Sequence, residues 1–263
     1  MSWKPHTRNL AWILPLAATI GLSWPLLSAQ PPSGQSGNRL GGKIRKPQMS
    51  DTIRANIYAD NTFQLYINGD LIAVDSIAFI PHNVISVDVL PRYPMTIAVR
   101  ADDNCDPKTG MEYANTNIGD GGFILKFGDG TVTDGRWKAK RIAWGPIDRD
   151  TTHPRTEMIP IPEGWNQIDF DDSQWEQARE FTEDEVGPKK PFYEYDFEGA
   201  KFIWSGDIAL DNTVLFRHVV LAPPDGKERI DFSNLNQMVP ENPPRGPGRG
   251  NPRREPSQNQ ERP

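Results

Sequence analysis

One short stretch, residues 62–72, constrains the fold more than any other part of the chain. Phe63, Leu65 and Ile67 alternate with Gln64 and Tyr66, which is the period of a strand with one buried face. Asn68-Gly69 follows at once, and these two residues tolerate the positive φ angles that a type I′ hairpin turn requires. The stretch therefore predicts a tight antiparallel hairpin.

The turn also predicts the register of this hairpin. With a two-residue loop, Ile67 should face Asp70, and Leu65 should face Ile72. Further short runs with a strand pattern, bounded by Gly, Pro and Asp, continue along the chain at 84–90, 95–100, 123–127, 131–133, 137–139, 142–144, 200–205 and 211–221. The sequence therefore predicts an all-β fold, an antiparallel jelly-roll β-sandwich.

One segment departs from the strand pattern. Within residues 171–178, Asp171 or Asp172 can cap a short helical turn, which would place Trp175 and Ala178 on one side.

The ends of the chain have a composition unlike the middle. Residues 1–29 begin with a polar, basic stretch and continue as an apolar run, which is typical of a secretory signal peptide. An uncleaved membrane anchor is the alternative, since about twenty apolar residues can span a bilayer. In both cases we expect the domain to lie outside the cytoplasm, secreted or in the periplasm. Residues 30–52 are predicted to be a flexible linker, 53–236 the sandwich, and 237–263 a disordered tail rich in Pro, Arg and Gly.

Charge and cysteine content argue against a nucleic-acid-binding protein, a disulfide-stabilised fold and a reactive cysteine. The net charge is −6, and both ends are slightly basic, which leaves about −10 on the middle. An acidic core opposes nucleic acid binding, because phosphates need a basic surface. The one cysteine, Cys105, allows no intramolecular disulfide, and its acidic neighbours disfavour the reactive thiolate.

Several motifs occur together in a recognisable order, namely Leu65-Tyr66-Ile67-Asn68-Gly69, Ile97-Ala98-Val99-Arg100-Ala101-Asp102-Asp103, Gly121-Gly122-Phe123-Ile124, Asp129-Gly130-Thr131, Thr133-Asp134-Gly135-Arg136-Trp137-Lys138 and Phe170-Asp171-Asp172-Ser173-Gln174-Trp175. This set resembles the galactose-binding-domain-like jelly rolls that accompany secreted glycosidases of the rhamnosidase and β-galactosidase types. The resemblance covers roughly residues 53–222. It implies a carbohydrate-binding accessory module and no enzyme, because no residues remain for a catalytic domain with its two carboxylates.

Exposed aromatic side chains are the candidates for stacking on a sugar ring. Trp144 and Trp165 flank a proline-rich loop, and Tyr193 and Tyr195 lie in a second loop segment. Trp137 and Trp175 belong to the motifs that define the fold, so we expect both in the core. The expected partner is an extracellular or envelope polysaccharide, and a membrane only if the first segment stays uncleaved.

Carboxylates and histidines are the candidate metal ligands of this sequence. Asp102, Asp103 and Asp106 form a candidate calcium cluster, which the resemblance allows as a structural site, although no defined calcium-loop spacing is present and a solvated acidic loop is the alternative. Asp169, Asp171 and Asp172 form a weaker one. The histidines show no spacing typical of zinc. Arg217 and His218 alternate along a strand, so the outward-facing one is expected to meet solvent.

A second class of function fits the same sequence. The sandwich could be the scaffold of a structural or adhesive envelope protein that binds partners through the five arginines of residues 237–263.

Overall fold

The computed structural model describes residues 44–75 and 83–234. These residues belong to the second of the two units into which the chain divides, Gly42–Pro263. The predicted signal peptide, most of the predicted linker and the predicted tail lie outside the described residues. Among the described residues, no helix has the length and apolar character that a membrane span requires.

The first sheet is antiparallel and has five strands in the order β12-β13-β8-β1-β4. Its strands are β1 (Ile53–Asp60), β4 (Ile85–Val89), β8 (Gly122–Phe127), β12 (Arg179–Phe181) and β13 (Phe202–Trp204).

The second sheet is antiparallel and has seven strands. Six follow the order β10-β9-β14-β5-β2-β3, and β11 pairs with β9 beside β10. The strands are β2 (Thr62–Ile67), β3 (Asp70–Asp75), β5 (Met95–Asp102), β9 (Lys138–Trp144), β10 (Glu157–Met158), β11 (Glu176–Gln177) and β14 (Asp211–Val220).

The remaining elements are short. β6 (Met111–Glu112) and β7 (Asn117–Ile118) form a small separate hairpin. A single turn of helix, α1 (Glu183–Val186), is capped by Thr182, and three 3₁₀ turns lie at Met49–Asp51, Ile147–Arg149 and Lys190–Glu194. The described part of the chain is therefore all-β, as predicted.

The two large sheets share one hydrophobic core. Ile57 and Leu125 from the first sheet and Val99 and Phe216 from the second are fully buried in the same cluster. Trp137 is also fully buried there, which confirms its predicted place in the core. Burial of these apolar side chains is the main driving force that holds the sheets face to face.

A second, smaller core covers the outer face of the seven-stranded sheet. Ala98 and Leu215 point outward from the sheet, and the loop between β9 and β11 lays Trp165 and Trp175 over them. The predicted burial of Trp175 is confirmed, with the side chain in this outer core.

The hairpin of β2 and β3 has the predicted turn and a different register. Asn68 (φ 52°) and Gly69 (φ 91°) both have positive φ, and Ile67 faces Asp70 as predicted. Leu65, however, faces Ala73 and not Ile72, because the pairing shifts between Leu65 and Tyr66. A β-bulge accommodates the extra residue in β3.

The predicted helical turn at residues 171–178 is wrong. The Trp175 amide donates to the Asp172 carbonyl (2.9 Å), which closes a turn that leads directly into β11. Trp175 then belongs to the outer core and Ala178 to the inner core, so the two side chains lie on opposite sides of the sheet. Pairing with β9 has overridden the local capping signal.

The position of Arg217 contradicts the expectation that the outward-facing residue of the pair Arg217 and His218 meets solvent. Its side chain points outward from β14, yet it is only 1% exposed, because the loop that carries Trp165 and Phe170 covers it.

Candidate functional site

A groove opens at the edge of the seven-stranded sheet, along β9. β11 pairs with Lys138 and Ala139 at the start of β9, and β10 pairs with Ala143 and Trp144 at its end. Between these two short strands lies a concave space of about 440 Å³. We call it the Trp144 groove. Its walls are largely polar, with side chains of Lys140, Arg141, Gln174, Glu176, Gln177 and Ser205.

Trp144 and Ile159 form the apolar part of this groove, and Arg141 lies over the Trp144 ring. The Arg141 guanidinium carbon lies 3.9 Å from the centroid of the Trp144 ring, a stacked cation–π contact. Trp144 is half-buried. The contact therefore holds the ring in one orientation and occupies one of its two faces.

Asp211 fixes the floor of the groove. It is 1% exposed, and its Oδ1 accepts a hydrogen bond from Arg141 Nη1 (3.2 Å). Its Oδ2 accepts from the Ser205 hydroxyl (2.7 Å) and from the amides of Gly206 (3.0 Å) and Asp207 (2.9 Å). These four donors hold the carboxylate in one rotamer. It orients Arg141, and through it Trp144.

The other predicted sugar-stacking residues lie elsewhere. Trp165 is 9% exposed and packs edge-on against Tyr66, with ring centroids 5.6 Å apart, because the loop that carries it needs an apolar anchor on the sheet. Its ring is therefore not available to a ligand. Tyr193 and Tyr195, 62% and 44% exposed, lie at the 3₁₀ turn Lys190–Glu194 and do not line the Trp144 groove. The structure does not bring the four residues together.

The predicted calcium ligands are also separated. Asp102 Oδ1 accepts from the Arg100 guanidinium (2.9 Å) and from the Thr213 hydroxyl (2.8 Å). Asp106 Oδ1 accepts from the amides of Lys108 and Thr109, so it shapes its own loop. Only Asp103 lies among other carboxylates.

Those carboxylates form a buried group that the sequence does not reveal. Asp60 ends β1, Asp103 follows β5 and Glu112 lies in β6, and their exposed fractions are 2%, 7% and 2%. We call these three residues the acid cluster. Ligand atoms of Asp103, Glu112 and Cys105 lie within 4.8 Å of one another. Asp120, which is exposed, acts on all three acids electrostatically.

Hydrogen bonds between loops bring the acid cluster together. The Asn61 amide donates to the Asp102 carbonyl (3.1 Å), and the Asn104 amide donates to Asn61 Oδ1 (2.8 Å). The Asp106 amide donates to the Met111 carbonyl (2.9 Å), which brings the β6–β7 hairpin to the end of β5. No sequence spacing could signal this, because the three acids come from three separate segments.

Burial changes the protonation of this cluster. It raises the pKa of Asp60 to about 7, with Asp120 adding to the effect. It likewise raises the pKa of Glu112, which also shares a hydrogen bond with Asp103, and it raises the pKa of Asp103 itself. The pKa of the Cys105 thiol is raised by burial and then by Asp103, as expected for an unreactive cysteine.

Comparison with family models, with curated proteins and with solved structures finds no match for this chain. The resemblance to galactose-binding-domain-like modules therefore stays a prediction from the sequence motifs.

Proposed function

We propose that this chain is a non-catalytic carbohydrate-binding module of jelly-roll topology that acts outside the cytoplasm, and that its ligand lies in the Trp144 groove. One observation carries the proposal. A half-buried tryptophan, held by Arg141 at 3.9 Å, lies beside a groove whose other walls are mostly hydrogen-bonding side chains.

A sugar ring matches both surfaces of this groove. Its C–H groups form an apolar face that can lie against the part of the Trp144 ring that lines the groove, as other flat apolar groups do on aromatic rings. Its hydroxyls both donate and accept hydrogen bonds. Lys140 is a donor, Glu176 is an acceptor, and the amide of Gln174 is both. An apolar ligand would leave these polar groups unpaired, which favours a glycan.

The remaining parts of the proposal rest on the sequence. The acidic middle opposes a nucleic acid partner, which leaves a polysaccharide of the envelope or the surroundings. Residues 1–29 would direct export, and the absence of an evident nucleophile motif supports a binding role.

The test is a glycan array with the wild-type protein, followed by calorimetry with the best ligand. We expect Trp144→Ala to weaken binding at least about tenfold, because an aromatic anchor typically dominates such a site. Trp144→Phe should lose less, since it keeps a ring, and it serves as the second variant if Trp144→Ala unfolds. Tyr193→Ala removes a more exposed aromatic outside the groove and should bind as the wild type does.

Two results would contradict the proposal. If no glycan binds the folded protein, the carbohydrate function is wrong. If binding survives Trp144→Ala and is lost in Tyr193→Ala, the site lies at the 3₁₀ turn Lys190–Glu194 instead. In the first case the scaffold function becomes the better hypothesis, and removal of residues 237–263 should then release the protein from its envelope partner.

A further inference from the structure

We propose that a cavity between the ends of β5, β14 and β9 and the loop after β10 binds a free α-amino acid with an apolar side chain. The cavity has a volume of about 350 Å³, within the range of small-molecule sites. We call it the Arg100 cavity. It is distinct from the Trp144 groove, with which it shares only Ile159, and the inference does not rest on glycan binding.

The floor of this cavity consists of three neighbouring strands of the seven-stranded sheet. Thr213 in β14 pairs with Asp102 in β5 on one side and with Ala143 in β9 on the other. The Thr213 hydroxyl donates to Asp102 Oδ1 (2.8 Å), so the two side chains lie on the same face of the sheet. The polar groups of the floor are therefore held by paired strands, which position a binding site better than loops do.

The roof is the loop that follows β10. The Ile159 amide donates to the Ile142 carbonyl (2.9 Å), which holds this loop against β9. The Thr156 hydroxyl donates to the Pro107 carbonyl (2.8 Å), which joins the segment before the roof to the loop after β5. The cavity is thus formed without a ligand. Its apolar walls are Ile142, Met158, Ile159, Pro160 and Ile161.

Two opposite charges lie side by side at the polar end of the cavity. Arg100 Nε lies 2.9 Å from Asp102 Oδ2, and Arg100 Nη2 donates to Asp102 Oδ1 (2.9 Å). Both side chains line the cavity and are partly exposed, by 36% and 22%. Arg100 Nη1 donates to no group in the described part of the chain. The guanidinium therefore keeps donors for a ligand carboxylate, and the Asp102 carboxylate keeps lone pairs for a ligand ammonium.

Asn212 adds an acceptor to the lining. It is the extra residue of a β-bulge, because Asp211 pairs with Trp144 and Thr213 with Ala143. Such bulges redirect a side chain next to a site. Asn212 lines the cavity and is 6% exposed, and its Oδ1 has no hydrogen-bond partner among the described residues. A rotation of this amide would bring the oxygen to a ligand ammonium, which supplies the missing donor.

An α-amino acid matches all of these groups. Its carboxylate suits Arg100, its ammonium suits Asp102 and Asn212, and both charges are carried by one carbon atom. A simple amine would leave the guanidinium without a carboxylate, and a fatty acid would leave the two acceptors without a donor. The apolar walls favour an aliphatic or aromatic side chain, because its burial contributes further affinity.

The experiment is calorimetry of the full chain with leucine, in a buffer without sugar. We expect one site per chain. Isocaproate is leucine without the ammonium, and isoamylamine is leucine without the carboxylate; each should bind at least about tenfold more weakly than leucine. Free glycine, which has no side chain to bury, should also bind at least about tenfold more weakly.

Variants test the two parts of the cavity. Arg100→Gln should weaken leucine binding at least about tenfold, and Arg54→Gln is its matched control, because Arg54 pairs with Asp88 outside the cavity. Ile161→Ala, a change in the roof, should weaken binding about fivefold. Leu221→Ala removes an exposed apolar side chain outside the cavity and should bind leucine as the wild type does.

Three results would overturn the proposal. These are the failure of the folded wild type to bind leucine, isoleucine or phenylalanine, binding of isocaproate or isoamylamine as tight as that of leucine, and equal affinity for leucine in Arg100→Gln and Arg54→Gln. Calorimetry of the wild type with the analogues decides the question even if a variant fails to fold. Because these titrations contain no sugar, their failure is distinguishable from failure of the glycan proposal.

Discussion

At the scale of single residues, Arg217 shows how a charge can be part of a core. Its Nε donates to Asp172 Oδ2 (2.8 Å), and its other nitrogens donate to the carbonyls of Trp165, Gln167 and Phe170. The guanidinium thus satisfies three backbone acceptors that the covering loop would otherwise bury unpaired. One side chain takes the place of the secondary structure that this loop lacks.

Arg217→Met should therefore destabilise the protein strongly. The substitution leaves buried carbonyls and the Asp172 carboxylate without their donor, and we expect a loss of about 3 kcal/mol in the free energy of unfolding, measured by urea denaturation. Arg54→Met is the control, because Arg54 pairs with Asp88 on the surface. If both variants lose equally little, the buried network does not hold the loop.

His218 provides a pH-dependent contribution to stability. Its ring stacks on Trp137, with centroids 5.2 Å apart. Burial lowers the pKa of His218, and the charge of Arg136 lowers it further. The carboxylate of Asp134 raises this pKa and only partly offsets the effect of burial. The unfolded chain, with a histidine pKa of about 6.5, then takes up the proton first. The contribution of His218 is present above this pH and is lost as the pH falls below it.

His218→Phe should remove that part of the pH dependence. The free energy of unfolding of the wild type should fall more steeply than that of the variant between about pH 7.5 and 5.5. His153→Gln, a change at an exposed histidine, should follow the wild type. Parallel curves for wild type and His218→Phe would show that the ring titrates as freely in the folded protein as in the unfolded chain.

At the scale of elements, the β2–β3 hairpin separates what local sequence determines from what packing determines. The turn and the pair of Ile67 with Asp70 depend on Asn68-Gly69 alone, and both were predictable. The unpaired residue Ile72 in β3 was not, because a two-residue turn by itself implies unbroken pairing along both strands. β1 was not predicted as a separate strand, since it is buried on both faces near its end and its pattern does not alternate there.

Gly69→Ala tests this turn. Alanine at φ 91° is strained, and its Cβ would lie 2.7 Å from Gln167 Oε1, so we expect a loss of about 1–2 kcal/mol in denaturant unfolding. Gly199→Ala is a matched control with φ 82° and no atom within 4 Å of the new Cβ. A Gly69 variant no less stable than the Gly199 variant would mean that the contact with Gln167 adds nothing.

At the scale of the whole molecule, sequence patterns predicted the class of fold better than its sites. Alternating patterns and turn residues predict an antiparallel β fold because most of the longer strands carry their own signal. The acid cluster needs the ends of β1 and β5 and a distant hairpin to meet, which depends on topology. Asp102 and Asp106 are acidic neighbours of Asp103 in sequence, yet strand alternation and loop hydrogen bonds direct them elsewhere.

The extent of the core also indicates which residues a stable fold requires. Its buried apolar residues run from Ile53 to Val220. A variant that ends at residue 236 should therefore unfold at the wild-type temperature, measured by circular dichroism. A variant that ends at residue 210 loses β14, which lies between β5 and β9, and should not fold. A lower unfolding temperature for the first variant would place stabilising contacts in residues 237–263.

The bulge in the β2–β3 hairpin affects how readily two copies of the protein can associate through this edge of the sheet. Among the described strands β3 is the outermost on its side of the seven-stranded sheet, and its Leu71 and Val74 are exposed. An exposed edge strand of this kind can pair with a strand of another molecule. The irregular pairing next to Leu65 increases the twist of this edge, and the exposed Asp70 places a charge at one end of it. We therefore expect the bulge that shifts the register to oppose edge-to-edge pairing between copies of the protein.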